Sequence, residues 1–229
     1  MLGRVQRGLE TLYRVDTGVT VDDFVIDEPT RDRLVDYTAL PSGSAASPGQ
    51  ARLGVERRPR EQLLAVEDAG EMSLALFVDP AALANLERHD PGRDLGDHNL
   101  GDFLLAVEGV SHFIYAVCCA RAERPVSQLE LELQAEVDKY VTCLLSADPE
   151  RGASTRWRER LFGEPCYEPD LDADERSRYR AANDNANRYA AFLETEFVAR
   201  RRIPEMFGEL RRFYRHGLAA KLATIARAA

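Results

Sequence analysis

One stretch constrains the fold of this chain more than any other. From Phe103 to Ala120 nearly every residue is apolar, and the run from Leu100 to Ala122, drawn as a helix, is apolar on almost every face. Such a helix must be enclosed on all sides, by protein or by lipid. Glu108, Ser111 and His112 interrupt it. Ionisable groups are costly in a bilayer, so the interruptions favour a protein interior, and no membrane span is expected. The reading is a central core helix in a chain of 229 residues, enough for one contiguous core with an appended subdomain.

The residues that follow supply the helices that could enclose it. Arg124-Pro125 breaks the run, and Val126, Leu129, Leu133, Val137, Tyr140, Val141 and Leu144 then recur at helical spacing. A short helix is expected around Thr155–Phe162, carrying the only tryptophan, Trp157. Asp172 with Glu175 three residues on is a capping-box pattern. It opens a long helix striped by Tyr179, Ala182, Ala186, Tyr189, Leu193 and Phe197. Pro204 starts a final helix that points Met206, Phe207, Leu210, Phe213, Tyr214, Leu218, Leu222 and Ile225 inward.

The N-terminal part reads differently. Leu2, Val5, Leu9, Leu12 and Tyr13 give a short first helix, and Val19–Ile26 reads as a strand. Residues 41–60 are rich in Pro, Gly, Ser and Arg and read as a mobile loop. Two apolar runs, Gln62–Glu67 and Met72–Val78, flank Asp68-Ala69-Gly70-Glu71, which is hairpin chemistry. With Val19–Ile26 they predict a three-stranded antiparallel sheet, which must pack on helices to be stable. Asp79-Pro80 starts a helix through about Glu87. The fold class is therefore mainly α (α+β): a small α+β region over 1–92 and an antiparallel helical bundle over 93–229.

Charge and cysteines narrow the functional classes. The net charge of −9 argues against a general nucleic-acid binder. It is unevenly spread: residues 200–229 hold eight Arg or Lys and two Glu, +6 against −15 elsewhere, which marks a contact surface or a basic tail packed on an acidic body. Lysine occurs only at 139 and 221. The first nine residues are too broken by polar groups for a secretory signal. Cys118, Cys119, Cys143 and Cys166 form no CxxC pair, and free thiols in a reducing cytoplasm are expected.

Chemistry concentrates on Glu108 and His112, one turn apart in the apolar helix with Tyr115 continuing their side. A buried carboxylate needs a partner. His112 or a residue of the next helix can supply one, and that helix offers Glu132 and Glu136. Glu136 lies near the apolar stripe, so Glu108, His112 and Glu136 can converge; the alternative is a structural network of Glu108, His112 and an arginine. Carboxylates and an imidazole on facing helices are the ligand types of bundle metal sites, and a divalent transition metal is the candidate cofactor. Neither copy of the Glu-x-x-His pattern of such sites is present, because Glu108 and His112 stand four residues apart. A second cluster, His89, Asp90, Arg93, Asp94, Asp97, His98 and Asn99, reads as a solvated loop at the rim. Tyr115, Tyr179, Asn183 and Tyr189 are candidate ligand-binding residues in the bundle. No phosphate loop, nucleophile elbow or zincin motif is present.

Two functional expectations follow. The first is a non-enzymatic cytoplasmic accessory protein acting through its helical surface on a protein partner or by self-association. The second is a metal-binding or acid–base helical-bundle enzyme centred on Glu108, His112 and Glu136.

Overall fold

The computed structural model describes residues 1–39, 59–68, 71–146, 153–163 and 171–228. In chain order the elements are α1 (Leu2–Tyr13), β1 (Val25–Ile26), α2 (Glu28–Ala39), β2 (Glu61–Asp68), β3 (Glu71–Val78) and α3 (Pro80–Arg88). There follow α4 (Leu100–Arg121), α5 (Gln128–Ser146), α6 (Ala153–Phe162), α7 (Ala173–Leu193), α8 (Ile203–Arg215) and α9 (Leu218–Ala228). The protein is mainly helical with one small sheet, as the sequence predicts.

Helix α4 is the axis of the core. It packs against α1, α3, α5, β2 and β3, and Ala106, Val107, Val110, Phe113 and Ile114 are buried. By length and composition α4 could cross a membrane, but most of its most apolar window lies inside the fold. It ends in a Schellman turn: Glu123 N–H donates to Ala120 C=O and Arg124 N–H to Cys119 C=O, both at 2.9 Å. Glu123 takes the left-handed position at φ 49°, where glycine is usual. The turn sends the chain into α5, so α4 and α5 pack as sequential neighbours.

The sheet corrects the expected topology. β2 and β3 form the predicted antiparallel hairpin, in register from Glu61 opposite Val78 to Asp68 opposite Glu71. β1 pairs parallel to β3, Val25 with Leu76 and Ile26 with Phe77, in the order β1-β3-β2. The strand expected over Val19–Ile26 is two residues long, because Val21–Phe24, with two aspartates, winds into a 3-10 turn. A long connection containing α2 separates β1 from the hairpin, so no tight turn forces antiparallel pairing. The loop expected over 41–60 lies outside the described residues except for Pro59 and Arg60.

The predicted final helix is two helices. His216 is extended (φ −77°, ψ 140°), and α9 restarts at Leu218, whose N–H donates to Glu130 Oε2 at 3.1 Å. A carboxylate at a helix N-terminus satisfies an open donor and complements the helix dipole. The capping box is present: Glu175 N–H donates to Asp172 Oδ1 at 2.7 Å, and Asp172 N–H to Glu175 Oε2 at 3.1 Å. The basic end is partly absorbed internally, since Arg211 Nε donates to Leu12 C=O at 2.7 Å at the C-terminus of α1.

Candidate functional site

Helical spacing puts Glu108 and His112 on one side of α4, and α5 faces that side. The partner of Glu108 is Lys139, whose Nζ stands 2.7 Å from Glu108 Oε2 and 2.9 Å from Glu136 Oε1. Glu136 therefore lies in the cluster, as a ligand of the lysine rather than a neighbour of the histidine. The expected convergence of Glu108, His112 and Glu136 is corrected to Glu108, His112 and Glu61, with one ligand atom of each within 4.8 Å of the other two.

Glu61 comes from the first residue of β2, and three features place it. Arg60 bonds Asp79 and Asp102, each at 2.8 Å, tying the start of β2 to the N-terminal ends of α3 and α4. Asp79 caps α3, accepting from Ala81 N–H at 2.8 Å. Gly109 leaves room on α4: a Cβ there would stand 3.1 Å from Glu61 Cγ and 3.2 Å from its Oε1. A side chain at this position would press the Glu61 side chain aside by a few tenths of an ångström.

His112 lies between two carboxylates, with Nδ1 3.5 Å from Glu61 Oε1 and Nε2 3.7 Å from Glu132 Oε2. The side chains of Glu61 and His112 are each 8% exposed. Neither contact forms a hydrogen bond, and Glu61 Oε1 and His112 Nε2 are buried without a partner. Buried polar atoms without a hydrogen bond are rare, and here each has only an ion-pair neighbour, His112 Nδ1 for Glu61 Oε1 and Glu132 Oε2 for His112 Nε2.

The electrostatics follow from burial and from the arithmetic of charge. Burial resists protonation of His112, but Glu61, Glu132 and Glu108 outweigh it and raise the imidazole to about 9. Burial, with Glu108 and Glu61 adding to it, pushes Glu132 up to about 7 against the pull of His112 and Lys139. Burial also raises Glu61. Glu108 is the exception: burial pushes it up, but Lys139 and His112 hold it below the ordinary range. Fully ionised, Glu61, Glu108, Glu132 and Glu136 outnumber His112 and Lys139 by two negative charges.

Part of the cluster borders an open cavity of about 660 Å³. Glu61, His112 and Glu132 line it, whereas Leu63, Met72, Val126 and Leu131 supply apolar wall. Exposed residues at its edge, among them Ala65, Ala120 and Gln128, open it to solvent. Its size is that of a small-molecule site.

Of the other predicted ligand residues, only Tyr179 lines this cavity. The Tyr115 hydroxyl donates to Glu130 at 2.7 Å and accepts from Arg124 at 3.0 Å. Tyr189 stacks on Phe213 with ring centres 4.0 Å apart, and Asn183 is buried. All three serve the bundle interior. The rim cluster stays a polar loop: Asn99 donates to the carbonyls of His89 and Asp94, and Arg4 pairs with Asp90. Cys118, Cys119 and Cys143 are free thiols. Burial raises Cys119 to about 11 and Cys143 to about 12, which suits small hydrophobes better than nucleophiles.

Sequence reasoning missed Glu61 and Lys139. Lysine offered a signal, because a chain whose other cations are arginines has two lysines and the fold covers both: the Lys139 side chain is 13% exposed and Lys221 is fully buried. Glu61 gave none, being one charged residue among many beside the loop.

The fold and cluster define a helical protein with a buried carboxylate–histidine–lysine cluster, part of which borders a cavity. No protein-family model, curated protein or solved structure matches the chain.

Proposed function

We propose that this protein binds a divalent transition metal through Glu61, Glu108 and His112, with Glu132 beside them, and presents it to a small molecule in the adjoining cavity. The observation that carries this reading is the pair of orphaned buried atoms, Glu61 Oε1 and His112 Nε2, on residues whose ligand atoms converge with one of Glu108. Mixed carboxylate and imidazole donors suit zinc, manganese or iron. As a ligand His112 must be neutral, so the ion's positive charge takes the place of its proton among the four glutamates and Lys139. A bound metal would supply Lewis acidity at the cavity wall. Glu132 stands there as an acid or base that changes state near pH 7.

The sequence also supports an accessory protein acting through its helical surface. The cavity and the convergent ligands favour the metal centre over it, because a surface partner needs neither.

Metal analysis of untagged protein, with zinc and manganese titrations followed by thermal unfolding, tests the proposal. Wild type is expected to retain about one metal per chain and to unfold at a higher temperature when saturated. Glu61→Gln and His112→Asn should each lose that metal, whereas Glu136→Gln should keep it. Wild-type protein that holds no metal and gains no stability from zinc, manganese or iron refutes the reading.

A further inference from the structure

The cavity has a second charged feature that the metal centre does not use. Arg178, on α7, lines it together with Tyr179, and its Nε is buried without a hydrogen-bond partner. Among the described residues no carboxylate lies within salt-bridge distance of Arg178. Its guanidinium carbon stands 5.7 Å from the centre of the Tyr179 ring. The other arginine of the wall is already neutralised: Arg124 bonds Glu130 at 2.6 Å. The cavity thus has an anionic acid–histidine end, apolar wall at Leu63, Met72 and Leu131, and a guanidinium with an unused buried donor.

From this we infer that the cavity takes a small amphipathic anion, an apolar body bearing one carboxylate or phosphate group held by Arg178. A guanidinium presents a planar fork of donors that matches either group. A buried donor without a partner carries a desolvation cost that an anionic acceptor removes. The acid–histidine end is the less favourable place for the anion, because four glutamates stand there against one histidine and one lysine. Charge therefore orients the ligand, with its anion at Arg178 and its other end toward His112. The inference rests on the metal-centre reading for the reacting end of the ligand, and on Arg178 for its anionic end.

Calorimetric titration of the full-length protein with hexanoate, hexyl phosphate and hexanol, before and after zinc loading, tests it. At least one anion should bind ten-fold or more tightly than hexanol, and the stronger one identifies the headgroup as carboxylate or phosphate. Arg178→Gln should weaken that anion ten-fold or more and leave zinc uptake unchanged, and Arg178→Lys should restore part of the affinity. Equal binding of the anions and hexanol, no binding by wild type, or full affinity in Arg178→Gln overturns the inference. Anion binding that persists in a protein unable to hold zinc overturns the metal centre instead and leaves the role of Arg178 standing.

Discussion

Replacing Lys139 by methionine tests the architecture of the site most directly. The ammonium lies between Glu108 at 2.7 Å and Glu136 at 2.9 Å, and its side chain is 13% exposed. Methionine keeps much of the volume and removes the charge, leaving Glu108 buried among Glu61, Glu132 and Glu136. Removing one partner of a buried ion pair costs about 3–5 kcal/mol. That is a large share of the ~5–15 kcal/mol that holds a typical domain together. In a chain of this length it corresponds to a fall in Tm of roughly 6–20 °C. Urea unfolding of metal-free protein measures it. The pH dependence fixes the cause. Burial pushes Glu108 up, but Lys139 and His112 hold it below its ordinary 4.5, so the pair's contribution is present above that pH and is lost as pH falls through the lowered value. The gap between wild type and Lys139→Met should therefore close in acid. Adding Glu108→Gln to Lys139→Met should recover part of the loss, because the unpaired carboxylate is then gone. Zinc should also recover part of it, since the ion can replace the ammonium as the partner of Glu108. A loss below about 1 kcal/mol, as at an exposed pair, refutes the buried-pair reasoning.

Three other substitutions probe separate parts of the fold. His112→Asn should destabilise the protein by about 3 kcal/mol near neutral pH. The raised pKa of His112 makes that contribution full below 6.5 and lost as pH rises through about 9, so urea midpoints of wild type and variant should converge there. Lys221 shows the opposite sign. Burial holds it down at about 7 despite Asp138 and Glu130, so wild-type stability should rise between about 7 and the ordinary 10.5. Lys221→Met removes the titrating group and should flatten that rise, and a variant whose stability still climbs between about 7 and 10.5 would contradict this. Glu123→Gly should stabilise by up to about 1 kcal/mol, because glycine adopts the left-handed position after α4 without strain. A lowered Tm would contradict that account.

Lys221 also shows what the fold does with a charge inside an apolar bundle. Its Nζ stands 4.5 Å from the centre of the Phe213 ring and 4.7 Å from that of Tyr115, and it donates to Gln134. Gln134 donates in turn to Asp138 at 2.8 Å, which also accepts from Ser111 at 2.6 Å and from Tyr13. This network joins α1, α4, α5 and α9. Burial raises Asp138 to about 6, so its carboxylate and Lys221 both sit near a change of state around neutral pH.

Much of the helical frame was legible in the sequence, because its causes are local. The apolar run of α4, the break at Arg124-Pro125, the Asp172–Glu175 capping box and the Asp79-Pro80 start of α3 act within a turn or two of chain. The hairpin of β2 and β3 was legible for the same reason. The parallel pairing of β1 and the bend at His216-Gly217 were not. The first depends on a long excursion through α2, and the second on Glu130 of α5 reaching the N-terminus of α9. The candidate site divides along the same line. Periodicity in a single helix determined that Glu108 and His112 share a buried side of α4. Tertiary structure decided what they meet: Lys139 from α5, and Glu61 from a strand that packs on α4 beside Gly109. Desolvation makes a partner for a buried charge obligatory, but only the packing of distant elements selects which residue it is.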